Sequence, residues 1–237
     1  MIIINFKNYE ESTGDGAKVL AEIFEKVSVE TSGDIAVAVH PTDLRSVAEI
    51  VNKLWLFSQG ADFYSRNPDG THKKTQTGRM TPDLMKKIGV DGILVNHAEN
   101  PCSNEEIKMI VEDFRAECPM MKIIVCAESV DRAEQILAVC GGGVADDGVV
   151  GLVVRPDFIA IEPPEMIGGD VSVTTKPEII VEAVSRIGVD VLVGAGVKTS
   201  ADVKEALNLG AKGVLLASGV IKPKDGKTPE QALRELI

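Results

Sequence analysis

Three histidines and four cysteines are few soft-metal ligands for a chain of 237 residues, and Cys102, Cys118, Cys126 and Cys140 share no C-x-x-C spacing. That argues against a zinc site or a disulfide framework and for reduced thiols in a cytoplasm, serving as small buried hydrophobes. Long apolar runs are missing as well. The apolar opening at 1–4 is too short for a signal peptide, and nothing approaches the roughly 20 apolar residues of a membrane span. Positive charge is in deficit: 25 Lys and Arg against 36 Asp and Glu leave a formal net charge of −11. Such a surface suits neither nucleic acid nor an anionic membrane. Any anionic substrate must be drawn in by local donors, against the global field.

What is present is the composition of a soluble globular protein, 44% hydrophobic and 26% charged. Taken in order, strand and helix signals alternate. Short apolar runs bounded by breakers, as in strands buried on both faces, fall at 2–6, 35–39, 54–57, 92–95, 122–126, 158–161, 191–193 and 213–216. Between them, periodic or capped stretches predict helices at 14–30, 43–51, 81–88, about 103–117, 131–139, 176–187, 200–207 and 229–236. In the first, Val19, Leu20, Ile23, Phe24 and Val27 recur at helical spacing.

Strict alternation of this kind calls for parallel strands joined by crossover helices, and eight of each close into a (β/α)8 barrel, one domain over residues 1–237. A doubly wound open sheet is the alternative, but no G-x-G-x-x-G follows the first strand. Two stretches break the rhythm. Residues 58–80 form a long polar loop, in which His72, Lys73 and Lys74 read as solvated surface residues. Residues 140–156 hold five glycines and read as an insertion on the rim away from the strand ends.

In such barrels the chemistry gathers at the C-terminal ends of the strands. Asn5 and Lys7, two apart, leave strand 1 on the same side. Strand 4 runs into His97. Strand 6 ends in Glu162, where Pro163-Pro164 forbids continuation, and the segment through Gly168-Gly169 has the build of a hinged lid. Gly194-Ala195-Gly196 and Ala217-Ser218-Gly219 are small turns after strands 7 and 8, where backbone N–H groups can face an anion. Each has a plain reading as a solvated or turn residue; their arrival at one rim favours a site.

Together Asn5-Phe6-Lys7, Asn96-His97-Ala98-Glu99, the run from Glu162 to Gly168, Gly194-Ala195-Gly196 and Leu216-Ala217-Ser218-Gly219 resemble the motifs of the triosephosphate isomerase family, in its shorter archaeal form. The resemblance implies cofactor-free and metal-free interconversion of dihydroxyacetone phosphate and glyceraldehyde 3-phosphate, a step of glycolysis and gluconeogenesis. It assigns roles by the division known for that family: Glu162 the base, His97 a neutral electrophile, Lys7 the fixed cation, Asn5 its support. The phosphate would meet backbone amides at Gly168, Gly196, Ala217 and Ser218. Glu99 corresponds to a buried acid that orients the histidine. Thr77-Gly78 corresponds to a loop tip that reaches into a partner subunit, so a homodimer is expected, with a homotetramer next.

Three features depart from the family. Ala98 replaces a serine that would hold the resting base, the strand-3 loop is longer, and the glycine-rich insertion has no counterpart. Two other readings stay open: a different phosphate-binding barrel enzyme, and a catalytically silent paralogue that binds a triose phosphate.

Overall fold

The computed structural model describes residues 1–141, 154–166, 172–224 and 226–237. Eight parallel strands close in chain order: β1 (Ile2–Asn5), β2 (Ile35–Val39), β3 (Trp55–Ser58), β4 (Gly92–Val95), β5 (Lys122–Ala127), β6 (Phe158–Ile161), β7 (Asp190–Gly194) and β8 (Gly213–Leu216). They are near-continuously apolar because both faces are buried. Ile3, Ala36, Phe57, Leu94, Ile124 and Leu192 fill the lumen, while Ile4, Val37, Ile93, Val125, Ile159 and Val193 alternate outward under the helices. Two glycines allow the closure. A Cβ at Gly213 would lie 2.2 Å from the Met1 carbonyl oxygen, where β8 meets β1, and one at Gly92 would lie 2.7 Å from the Phe57 ring.

The described helices are α1 (Asp15–Thr31), α2 (Leu44–Ala48), α3 (Pro82–Ile88), α4 (Asn104–Glu117), α5 (Val130–Cys140), α6 (Pro177–Arg186), α7 (Ser200–Asn208), α8 (Ser218–Ile221) and α9 (Pro229–Leu236). Their starts are chemically marked. Ser103 and Glu106 form a reciprocal capping box at α4, as do Thr199 and Asp202 at α7 and Thr228 and Gln231 at α9. α1 buries Leu20, Phe24 and Val27 but turns Val19, which shares their spacing, out to solvent. The predicted helix at 43–51 is shorter, since Ile50 and Val51 both donate to the Val47 carbonyl in a closing turn. α8, directly after β8, has no cue in the sequence, where its glycine reads as a turn. Among the described residues no helix is long and apolar enough to cross a membrane.

The strand-3 loop corrects one expectation. Its inserted part is a hairpin, with Arg66 bridged to His72 and the turn at Gly70 (φ +82°). The buried carboxylate of Asp113, on α4, holds it: Tyr64 N–H donates at 2.6 Å, Arg66 binds in a fork at 2.7 and 3.0 Å, and His72 Nε2 lies 3.2 Å away. His72 also stacks on the fully buried Tyr64 ring, 5.0 Å between centroids. Lys74 sits over the same ring and pairs with Glu117. His72 is therefore a half-buried docking residue, while Lys73 and Lys74 keep the expected exposure, Lys74 even as it makes these contacts. Of the glycine-rich stretch, residues 142–153 lie outside the described residues, as do 167–171 of the expected lid.

Candidate active site

Lys7 is the first residue beyond β1 and Phe6, and its backbone is in the left-handed region (φ +50°). For a non-glycine residue that costs on the order of 1–2 kcal/mol and persists only where neighbours impose it. Here Lys7 N–H donates to Asn5 Oδ1 at 3.0 Å, and its carbonyl accepts from Gln59 Nε2 at 2.9 Å. Asn5 thus acts as a brace as well as a lining residue. The Lys7 ammonium pairs with Glu99 Oε1 at 2.7 Å.

His97 is buried just past β4. It follows Asn96, also left-handed (φ +60°), whose amide ties two segments together: Nδ2 donates to the Cys126 carbonyl at 2.8 Å and Oδ1 accepts from Cys102 N–H at 2.9 Å. The backbone N–H of Glu99 donates to His97 Nδ1 at 3.1 Å. An Nδ1 that accepts leaves the ring proton of the neutral tautomer on Nε2. That nitrogen faces Glu162 Oε2 at 3.6 Å. Glu99 is not the buried acid expected, although its Oε2 lies 3.7 Å from His97 Nδ1. Its side chain is 58% exposed and paired with Lys7, and the backbone amide does the orienting.

Glu162 N–H donates to the Ala127 carbonyl at 2.9 Å, so the β5–β6 ladder fixes its main chain at the strand end. Its carboxylate is buried, and Oε2 has no hydrogen-bond partner among the described residues. Such a group ordinarily costs free energy, so its persistence marks a place where something else is meant to bind. Burial pushes its pKa up; His97, the Cys126 thiol and Lys7 pull the other way without cancelling it. Cys126 itself is driven well above the usual thiol range by burial and by this carboxylate. On the β7 side, a Cβ at Gly194 would lie 2.4 Å from Glu162 Cγ, so only glycine leaves the carboxylate its present room.

The turns after β7 and β8 face each other across the opening. Ala195 and Gly196 are consecutive left-handed residues (φ +71° and +73°), a conformation that alanine adopts only at a cost. Asn5, Lys7, His97, Glu162, Gly196 and Ser218 line one hollow, with Ala217 beside them. A second hollow adjoins it, flanked by Lys7, His97, Gln59 and Gly60. Thr77 is exposed in the strand-3 loop and lines neither hollow; Ala98 is exposed and brings no hydroxyl; Gly168 lies outside the described residues. Sequence reasoning missed Gln59, Cys126 and Gly194 as neighbours of the reactive groups, because all three arrive from other strands than the groups they touch. Lys198, which also lines the hollow, was missed although it stands only two residues past Gly196.

A family model described as triosephosphate isomerase matches residues 1–233. Among proteins named triosephosphate isomerase, that of Methanothermus fervidus is 38% identical, over all of this chain and 97% of its own length. That of Methanocaldococcus jannaschii is 36% identical, over all of this chain and 98% of its own, and that of Archaeoglobus fulgidus 35%, over all of this chain and 96% of its own.

Proposed function

The chain belongs to the triosephosphate isomerase family, and from that premise we propose that it interconverts dihydroxyacetone phosphate and D-glyceraldehyde 3-phosphate through an enediolate, with Glu162 as the base. The observation that carries this reading is the bare, buried Oε2 of Glu162, held 3.6 Å from His97 Nε2. A protein that only bound a triose phosphate would need the cradle after β7 and β8, but no unpartnered carboxylate beside a donor.

The steps follow from the groups present. Glu162 takes a proton from the carbon next to the carbonyl and returns it to the neighbouring carbon, so one base must reach both. As that proton leaves, charge grows on the carbonyl oxygen, and His97 Nε2–H is the donor placed to meet it. A neutral imidazole suits this role, since it polarises the oxygen and can lend its proton to either oxygen of the enediolate. Lys7, held by Asn5 and Gln59, adds a fixed positive charge at the same end. The phosphate is the handle that positions the reacting carbons, against backbone amides near Gly196, Ala217 and Ser218. Nothing in these steps calls for a cofactor.

Self-association belongs to the same reading. Thr77-Gly78 is exposed in the strand-3 loop, and the second hollow reaches Lys7 and His97 from the side, the combination expected if a partner's loop covers them. We place the enzyme in the cytoplasm, in keeping with four free cysteines. Steady-state turnover of glyceraldehyde 3-phosphate tests the catalytic assignment. Glu162→Gln and His97→Gln should each lower kcat by roughly 10²–10⁴-fold; near-normal turnover in both would remove these residues from the mechanism.

A further inference from the structure

The substrate proposed above carries a dianion at one end and develops negative charge at the other, in a protein whose net charge is −11. Two lysines line the hollow between the strand ends, Lys7 and Lys198. Lys7 is committed to the reacting end, beside His97 and paired with Glu99 at 2.7 Å. Lys198 stands at the opposite side, in the turn after β7. Its main chain is well held: Lys198 N–H donates to Asp202 Oδ2 at 3.1 Å, and the same carboxylate accepts from Thr199 N–H at 2.9 Å, so the α7 capping box anchors the turn. A Cβ built on Gly219 would lie 3.6 Å from Lys198 Cγ and 3.9 Å from its Cα, so the turn that carries Lys198 lies against the glycine that follows Ser218.

The two turns offer backbone amides but no full charge, and Lys198 lines the hollow where they meet. Gly219 has no side chain to stand in the way. An anion seated between Gly196 and Ser218 would therefore share its hollow with Lys198. We propose that Lys198 is a substrate-positioning residue, a second cation that binds the phosphate group of the substrate and takes no part in the proton transfers. This rests on the isomerase reading for the identity of the substrate, though not for the anion site itself.

The test uses the whole protein and Lys198→Met, which keeps the stem and removes the charge. The KM for glyceraldehyde 3-phosphate should rise about tenfold while kcat stays within about twofold, the value of one charge-assisted contact. Equilibrium binding of inorganic phosphate, read by titration calorimetry, should weaken by a similar factor, and Lys198→Arg should restore much of it. Turnover of D-glyceraldehyde, which has no phosphate, should not change. An unchanged phosphate affinity in Lys198→Met overturns the proposal. So does an equal loss on glyceraldehyde, which would show a merely structural role. If the wild-type protein fails to turn over the triose phosphate yet loses phosphate affinity on Lys198→Met, the isomerase reading falls and the lysine assignment stands.

Discussion

Glu162 is a carboxylate in a place that disfavours charge. Burial raises its pKa relative to the unfolded chain, so the folded state holds the proton more tightly. Between the unfolded and folded values the native protein binds more protons than the unfolded one, and stability falls as pH rises through that window. Above it the cost of the buried charge is fully present. Glu162→Gln should accordingly raise the urea midpoint at neutral pH, with the advantage shrinking as pH drops towards the ordinary carboxylate value of about 4.3 and gone below it. An equal difference at all pH values would mean that the amide acts by packing alone. The same shift places the acid limb of kcat/KM above the ordinary carboxylate range. Gly194 supplies a second prediction at this scale. Gly194→Ala should push Glu162 aside and lower kcat by about 10²-fold with the fold intact, as a displacement near 1 Å commonly does; crystals showing Glu162 unmoved would refute it. Glu162 was legible in the sequence because the apolar run before it reads as a buried strand and the two prolines after it end that strand, which puts the carboxylate at the rim. Gly194 was not: it reads as part of an anion-binding turn, and its contact crosses from β7 to β6. Glu99 misled for a related reason, since its position beside the histidine says nothing about which of its atoms, amide or carboxylate, does the holding.

At the scale of elements, the strand-3 loop shows how a polar stretch can be ordered from a distance. In the sequence its residues look solvated, because Asp113, which binds Tyr64, Arg66 and His72, lies far along the chain on α4. Removing that carboxylate would leave a half-buried guanidinium and a buried amide without their acceptor. Asp113→Ala should destabilise the protein by roughly 2–4 kcal/mol in denaturant unfolding and expose the loop to proteolysis. A change within about 0.5 kcal/mol, the range ordinary for surface positions, would show that the hairpin is held by other means. The strands and most helices were legible because their cues are local: apolar runs for strands buried on both sides, and Ser, Thr and Pro at helix starts. Boundaries slipped where tertiary contacts decide them. β3 begins one residue later than its apolar run because the pairing of Trp55 with Ala36 sets the register.

For the molecule as a whole, alternation of eight strands and helices, with no G-x-G-x-x-G after the first strand, was enough to favour the barrel over a doubly wound sheet. Assembly is a matter of surfaces and is less legible in a linear chain. The proposed dimer predicts twice the protomer mass of 25.3 kDa, or a higher multiple, in light scattering at working concentration; a monomer would contradict it. The central claim is that one base, Glu162, moves a proton between two carbons of a triose phosphate. Proton NMR in D₂O of glyceraldehyde 3-phosphate with the purified protein tests this most directly, with Glu162→Gln run in parallel. The expected result is conversion to dihydroxyacetone phosphate with deuterium incorporated at carbon, abolished or nearly so in the variant. A wild-type protein that binds the triose phosphate but neither converts it nor exchanges its proton would contradict the claim.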